Sequence, residues 1–276
     1  MGYSDYEFGR MIGDPVRMKA YRDALTQSVS EGCTVLDIGA GTGIFSFICC
    51  ELGAAKVYAV EPNDAVQLGR ELTRANGFSD RIEWIQKLST DVTLPEKVDV
   101  IVSDLRGVLP LFGAHIPSII DARERFLRPQ GTLIPQRDTL YAAIATDSSG
   151  YQQKVEPWDG NSAPFDFECY RQRLTNCISK DHAAENNLLS SGVQWATLDY
   201  SSVKSANVSG TVELEVTRSG LAHGLYIWFD ATLLEGIGFS GGPGSPEMVY
   251  GCTFFPWPCP TALEKGDVAT VEIRAN

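Results

Sequence analysis

The chain has 276 residues with ordinary apolar and charged fractions, enough for one large domain or two modest ones. Its formal net charge of −12 argues against a nucleic-acid groove, because phosphates are met by lysine and arginine. No apolar run approaches a membrane span, no secretory signal opens the chain, and neither the seven cysteines nor the three histidines show metal-ligand spacing. We therefore expect a cytoplasmic protein without a metal, a membrane anchor or a nucleic-acid partner.

The first half of the chain alternates short apolar runs with helical patterns. Strands are predicted at residues 33–37, 56–61, 82–85 and 98–104, with a fifth after a turn at 129–131. Between them we predict a helix ending near residue 52, a helix from an Asp64 N-cap to about residue 76, and a helix over about 117–127. This alternation is typical of a doubly wound, Rossmann-like α/β domain with a parallel sheet.

The pattern changes after Pro135. Apolar or alternating segments at 140–145, 210–218, 225–234 and 267–273 have little helix between them, which predicts antiparallel β structure, a sandwich or a barrel. Only about 165–190 looks helical in this half. We therefore predict two domains, residues 1–135 and 136–276.

A glycine-rich loop joins the first strand to its helix. It reads DxGxGxG, from Asp37 through Gly39 and Gly41 to Gly43. A dinucleotide-binding loop would place its third glycine at position 44, where the chain has isoleucine, so a pyrophosphate ligand is disfavoured. An acid at the strand end suits a ligand with an amino group and no pyrophosphate, such as S-adenosylmethionine.

Glu61 ends the next strand, 18 residues beyond Gly43. A carboxylate at that point can accept both hydrogen bonds of a ribose diol. The loop and this acid together predict S-adenosylmethionine as the cofactor and methyl transfer as the chemistry.

Four segments carry a family resemblance. Residues 11–21 read M-I-G-D-P-V-R-M-K-A-Y, close to the pattern M-L-x-D-x-x-R-x-x-x-Y. The loop at 35–43 and Glu61 come next, residues 103–107 read S-D-L-R-G, and G-F-S opens the segment 238–246. In these segments the chain resembles the protein arginine methyltransferase family. The resemblance implies a Rossmann-like methyltransferase domain followed by an antiparallel β-barrel domain, with about 165–190 as the dimerisation arm of a homodimer.

The resemblance also implies roles for individual cofactor residues. Arg17 would hold the methionine carboxylate, a task that suits the forked guanidinium group. Gly39 and Gly41 would let the backbone approach the cofactor, and Glu61 would bind the ribose. The expected cofactor contacts are Met11, Arg17, Asp37, Gly39, Gly41, Gly43, Glu61, Leu88 and Asp104.

The acceptor side departs from the family in three places. The family clamps the acceptor guanidinium between two glutamates; here the first is Asp104 and the second position is Gly113. The family's T-H-W loop reads M-V-Y at 248–250, and Arg106 stands where the family has methionine. Losing one carboxylate of the clamp costs about 3–5 kcal/mol when the cation is buried unpaired. We therefore expect a small-molecule acceptor with a nitrogen, oxygen or carbon nucleophile, as in biosynthesis, rather than peptidyl arginine.

Four residues are candidates for the acceptor chemistry. Asp104 is the best placed to orient or deprotonate the acceptor. His115 is either a replacement base or a packed histidine, and Tyr250 either lines the acceptor pocket or packs in the barrel. Arg106 either pairs with a local acid such as Asp104 or binds an anionic group of the substrate.

Three other functions stay open at this point. A protein or free-arginine methyltransferase would need an altered clamp, with Asp104 and a second acid such as Asp230 or Glu235. A non-catalytic interaction module would keep only the cofactor site. A nicotinamide oxidoreductase is disfavoured by Ile44.

Overall fold

A computed structural model describes residues 3–146, 148–158 and 165–276. The chain divides into two compact units. The first, which we call the α/β unit, runs to Asp138 and also takes in Leu198–Ala206 and Ala231–Phe239. The second, the β unit, comprises Thr139–Thr197, Asn207–Asp230 and Ser240–Asn276. The predicted division near residue 135 stays a prediction.

The α/β unit is built on a five-stranded parallel sheet in the order β3-β2-β1-β4-β5. Its central strands consist almost wholly of buried residues rich in valine and isoleucine, as expected for a sheet covered on both faces. The strands are β1 (Thr34–Ile38), β2 (Lys56–Val60), β3 (Ile82–Ile85), β4 (Val98–Ser103) and β5 (Leu127–Ile134).

The described residues of this unit form five α-helices: α1 (Asp5–Ile12), α2 (Pro15–Ser28), α3 (Ile44–Glu51), α4 (Ala65–Ala75) and α5 (His115–Arg125). The start of α2 is set by its sequence. The Asp14 side chain accepts hydrogen bonds from the backbone nitrogens of Val16 and Arg17, and Pro15 occupies the first turn, where its missing N–H costs nothing. This cap fixes Arg17 in the first turn of α2.

The predicted fold class is confirmed, with local differences. Asp64 stands at the N-cap of α4, but its side chain makes no capping hydrogen bond and instead accepts from Gln86 Nε2 at 3.2 Å. The turn predicted at 129–131 lies inside β5, where Gln130 has a φ of 66° and the pairing with β4 shifts register. An irregularity within a strand carries the same proline and glycine signals as a turn between elements.

The second half of the chain forms antiparallel, barrel-like β structure. A six-stranded sheet has the order β7-β12-β10-β6-β8, with β11 paired to β10, and β9 and β13 form a two-stranded sheet. These strands are β6 (Arg137–Ala145), β7 (Ser179–Asp181), β8 (Val193–Asp199), β9 (Val208–Glu215), β10 (Gly220–Leu234), β11 (Ile237–Ser240), β12 (Cys252–Leu263) and β13 (Val268–Ala275).

The segment 165–190 is less helical than predicted. Residues 159–164, just before it, lie outside the described part of the chain. Within the segment, α7 (Glu168–Thr175) gives way to β7, whose Lys180 pairs with Thr253 of β12. A further helix, α6 (Ser148–Lys154), precedes it. No helix in the described residues is long and apolar enough to cross a membrane.

Candidate active site

A pocket in the α/β unit opens where the parallel strands end. The loop after β1, Glu61 after β2 and Asp104 after β4 line it together with Met11 and Arg17 from the N-terminal helices. The carboxyl ends of parallel strands are the usual ligand-binding edge of an open α/β sheet. Six of the predicted cofactor residues therefore share one pocket: Met11, Arg17, Gly39, Gly41, Glu61 and Asp104.

The glycines of the loop are required by the space around them. Gly39 and Gly41 have φ values of +70° and +54°, which disfavour any residue with a Cβ. A Cβ on Gly39 would lie 2.2 Å from Leu105 Cδ2, and one on Gly41 would lie 2.6 Å from Phe8 Cε1. Gly43 has a φ of +93° and is the N-cap of α3, without a capping side chain. The loop thus presents bare backbone to the pocket.

Glu61 is buried and held against this loop. Its Oε2 accepts from the Gly41 backbone nitrogen at 3.0 Å, and its Oε1 accepts from Asn63 N and Nδ2 at 2.9 and 2.8 Å. These contacts fix the carboxylate at the pocket wall.

Arg17 also lines the pocket and is buried. Its Nε donates to Asp104 Oδ2 at 2.7 Å, and its Nη1 donates to the Met11 carbonyl at 3.0 Å. The guanidinium carbon also lies 4.9 Å from the centre of the Phe45 ring. A planar cation in this position is preorganised to bind an anionic group.

Arg106 is not among the residues that line the pocket and belongs to a cluster of buried charged and polar side chains. Its Nη1 donates to Asp104 Oδ1 at 3.0 Å and to Tyr21 Oη at 2.8 Å, and its Nε donates to Asp138 Oδ2 at 2.7 Å. The side chains of Arg106 and Asp138 are both 0 % exposed. We call Tyr21, Asp104, Arg106, His115, Asp138 and Tyr200 the buried charge cluster.

His115 belongs to this cluster and does not line the pocket. Tyr200 Oη donates to Asp138 Oδ2 at 2.6 Å, so the contact of 2.8 Å between Tyr200 Oη and His115 Nε2 has the histidine as donor. Burial lowers the pKa of His115 to about 3. A neutral histidine in this position supports the tyrosine and is a weak base, so its predicted role as a replacement base finds no geometric support here.

Burial also raises the pKa values of two acidic side chains, Asp138 and Asp37. It raises the pKa of the Asp138 carboxyl, an effect that the charge of Arg106 and two donated hydrogen bonds oppose. Asp37, predicted to meet the ligand, instead lies beneath the loop, where its Oδ2 accepts from Ser46 Oγ at 2.7 Å and burial raises its pKa to about 7. The side chain at this strand end packs under α3 rather than into the pocket.

Two other predicted residues are not among those that line the pocket. Leu88 follows β3 and is 56 % exposed. Tyr250 belongs to the β unit, where it is buried and its ring lies 5.4 Å from that of Phe229. Their predicted contacts with cofactor and acceptor stay predictions.

Sequence reasoning missed two members of the cluster. Asp138 stands between Arg137 and Thr139 at the start of strand β6, before its apolar part, and Tyr200 follows β8. Neither position carries a sequence signal that separates it from an ordinary polar residue at a strand end. Tyr21 closes the pattern of residues 11–21, but that pattern assigned it no role.

The chain combines a parallel α/β sheet, whose glycine loop and strand-end acid share one pocket, with antiparallel β structure later in the sequence. This combination defines a class of S-adenosylmethionine-dependent methyltransferases. Two family models match the chain: the ribosomal protein L11 methyltransferase model over residues 22–135, and the arginine methyltransferase oligomerization subdomain over residues 136–276.

Named relatives narrow the class to one family. Protein arginine N-methyltransferase 6 of Xenopus laevis is 32% identical over 243 residues, covering 83% of this chain and 71% of that protein. Protein arginine N-methyltransferase 1.1 of Arabidopsis thaliana is 33% identical over 243 residues, covering 85% of this chain and 62% of that protein. The chain belongs to the protein arginine N-methyltransferase family. It spans about three-fifths of the length of the Arabidopsis relative.

A solved structure agrees in fold. The heterotetrameric complex of Trypanosoma brucei PRMT1 enzyme and prozyme with AdoHcy contains a chain that is 26% identical and superposes with a TM-score of 0.88. The match covers 95% of this chain and 85% of that one. S-adenosylmethionine dependence, predicted from the glycine loop, is a property of this family.

Proposed function

We propose that this chain binds S-adenosylmethionine in the pocket of the α/β unit and transfers its methyl group to an acceptor beside Asp104. The observation that carries the proposal is the convergence of Arg17, the bare backbone at Gly39 and Gly41, and Glu61 on one pocket. Arg17 would bind the methionine carboxylate, the glycines would admit the cofactor, and Glu61 would accept from the ribose hydroxyls. The Trypanosoma relative forms a complex with AdoHcy, which supports this assignment.

Titration calorimetry with AdoHcy tests the cofactor assignment. Glu61→Gln is expected to weaken binding at least about 30-fold. The uncharged amide would no longer make the two charge-assisted hydrogen bonds that we propose from the ribose hydroxyls, which are worth about 2 kcal/mol together. Glu71→Gln makes the same chemical change on the exposed face of α4 and is the matched control. Equal affinities for the two variants would remove Glu61 from the cofactor site.

Methyl transfer does not require a covalent bond between the protein and the substrate. The cofactor supplies the electrophilic methyl group, so the chain must hold the acceptor in line with the carbon–sulfur bond and manage a proton. Orientation can lower the barrier by about 7–11 kcal/mol at best. Asp104, at the pocket wall with its side chain 6 % exposed, would orient the acceptor nucleophile.

The acceptor that we propose is a small molecule with a nitrogen, oxygen or carbon nucleophile. Gly113, where the family's second glutamate is expected, has no side chain, and Asp104 already receives hydrogen bonds from Arg17 and Arg106. The relatives are named protein arginine N-methyltransferases, so arginine with an altered clamp is the direct competitor. Incubation with methyl-labelled cofactor and a panel of amines, phenols, carboxylates, free arginine and arginine peptides separates the two. Transfer to a guanidinium nitrogen would refute the small-molecule proposal.

A second candidate function is that of a cofactor-binding partner subunit without turnover. The Trypanosoma structure combines an enzyme with a prozyme, and residues 136–276 match an oligomerization subdomain. Light scattering measures the assembly, for which we predict a homodimer. AdoHcy binding without methyl transfer to any acceptor of the panel, together with stimulation of a second family member on mixing, would favour the subunit function.

A further inference from the structure

Asp104 is already bound by two arginines of the chain itself. Arg17 Nε donates to its Oδ2 at 2.7 Å and Arg106 Nη1 donates to its Oδ1 at 3.0 Å. Both oxygens of the acid at the predicted acceptor position therefore face a resident guanidinium group. An acceptor guanidinium would have to displace one of them.

Arg106 cannot move aside at low cost. Its Nε donates to Asp138 at 2.7 Å, its Nη1 donates to Tyr21 Oη at 2.8 Å, and its guanidinium carbon lies 5.6 Å from the centre of the Phe239 ring. A rotation away from Asp104 would strip a fully buried cation of part of its hydrogen bonding, and it would leave Asp138 buried without its counter-ion. Asp138 thus holds Arg106 in place on Asp104.

Tyr200 provides a second hydrogen bond to Asp138, in addition to the one from Arg106. Its hydroxyl donates to Asp138 Oδ2 at 2.6 Å and accepts from His115 Nε2 at 2.8 Å. Asp138 therefore has two donors on the same oxygen and is fixed in its orientation toward Arg106. The chain of contacts runs from His115 through Tyr200, Asp138 and Arg106 to Asp104.

We infer that Arg106, held by Asp138, is a specificity-determining residue that takes the place of a substrate guanidinium on Asp104. This inference rests on the proposed function, in which the acceptor approaches Asp104. A cationic acceptor meets a fixed like charge there, whereas a neutral or anionic nucleophile does not. The site therefore selects neutral or anionic acceptors and rejects guanidinium groups.

Methyl transfer is chemically complete for both the anionic and the neutral acceptors. The lone pair of the nucleophile forms a bond to the methyl carbon, and the electrons of the carbon–sulfur bond return to sulfur, so the sulfonium becomes a thioether. An anionic oxygen acceptor becomes a neutral methyl ester or ether with no proton to lose. A neutral amine becomes a methylammonium, which then releases one proton to solvent.

Binding of two tripeptides to the AdoHcy-saturated protein tests the inference without requiring turnover. Gly-Arg-Gly carries the guanidinium, and Gly-citrulline-Gly is its neutral isostere. We expect the wild-type protein to bind the neutral citrulline peptide at least about tenfold more tightly than the arginine peptide. We expect Arg106→Met/Asp138→Ala, which removes the buried pair together and with it the hydrogen bond from Arg106 to Asp104 Oδ1, to prefer the arginine peptide at least about tenfold, equivalent to about 1.4 kcal/mol.

Two further variants keep the test decisive. Arg106→Gln/Asp138→Asn removes the same charges with smaller changes in shape and replaces the first variant if that one does not fold. Arg106→Lys keeps a positive charge and is expected to behave like the wild type. Equal wild-type affinities for the two peptides, a wild-type preference for the arginine peptide, or charge-free variants that do not prefer the arginine peptide would each overturn the inference. Failure of the wild type to bind AdoHcy would instead refute the proposed function.

Discussion

The cofactor pocket and the buried charge cluster share Asp104, yet they are built in opposite ways. The pocket is lined by backbone at Gly39 and Gly41 and by three charged residues, Arg17, Glu61 and Asp104. In the cluster, Arg106 and Asp138 bind each other and the neighbouring tyrosines with no exposed surface. The pocket is thus arranged to bind a ligand, whereas the cluster is arranged to hold its own members and to fix Asp104.

The comparison predicts that the cluster governs stability. Arg106→Met should lower the free energy of unfolding by about 3–5 kcal/mol, because Asp138 would stay buried without its counter-ion. Urea denaturation measures the change, and Arg22→Met, at a half-exposed ion pair with Glu51, is the control, expected to cost less than about 1 kcal/mol. The double variant Arg106→Met/Asp138→Ala should recover much of the loss. A single variant as stable as the control would show that the pair is not held as described.

Asp37, beneath the pocket loop, should make stability depend on pH. Its pKa in the folded chain is raised to about 7 by burial, whereas the unfolded value is near 4. The folded state therefore holds a proton that the unfolded state has released, and the stabilisation is complete below about pH 4 and lost above about pH 7. Relative to Asp37→Asn, the wild-type free energy of unfolding should fall by about 4 kcal/mol across this window.

Chemical denaturation of the two proteins at several pH values measures the effect. Asp64→Asn, at the exposed start of α4, is the matched control and should follow the wild type. Parallel curves for wild type and Asp37→Asn would mean that Asp37 stays ionised in the folded protein.

Gly39→Ala should damage the pocket more than the fold. The added Cβ combines a φ of +70° with a separation of 2.2 Å from Leu105 Cδ2, so the loop or the Leu105 side chain, which also lines the pocket, must shift, and AdoHcy affinity should fall by about 30-fold, or about 2 kcal/mol. Gly77→Ala is the control that has the same backbone strain without a steric clash. Gly77 has a φ of +73°, and no atom lies within 4 Å of an added Cβ. It should destabilise the chain by about 1 kcal/mol and leave AdoHcy affinity unchanged. Equal affinities in the two variants would contradict a close approach of the loop to the cofactor.

Tyr200→Phe should have the smallest effect, and again on the cluster. It removes the hydroxyl between His115 and Asp138, which should cost about 1–2 kcal/mol of stability with AdoHcy affinity preserved. Tyr170→Phe, at a half-exposed ring, is the control and should be nearly neutral. A loss of AdoHcy affinity in Tyr200→Phe alone would mean that the two regions are coupled more tightly than described.

Sequence patterns predicted the pocket far better than the cluster. Strand alternation and the DxGxGxG spacing are local signals, so the sheet, the loop and the position of Glu61 follow from neighbouring residues. The direction of a single side chain is harder, since Asp37 was placed at the correct strand end yet packs against Ser46. Arg106 and Asp138 lie 32 positions apart, and spacing alone does not tell which acid a buried arginine meets.

A crystal structure of the chain with AdoHcy would show directly whether Arg17 and Glu61 contact the cofactor. The amino acid carboxylate of AdoHcy is predicted within hydrogen-bonding distance of Arg17, and the ribose hydroxyls within hydrogen-bonding distance of Glu61, with the sulfur on the side of Asp104. AdoHcy bound elsewhere, or bound in this pocket with its ribose away from Glu61, would contradict the account.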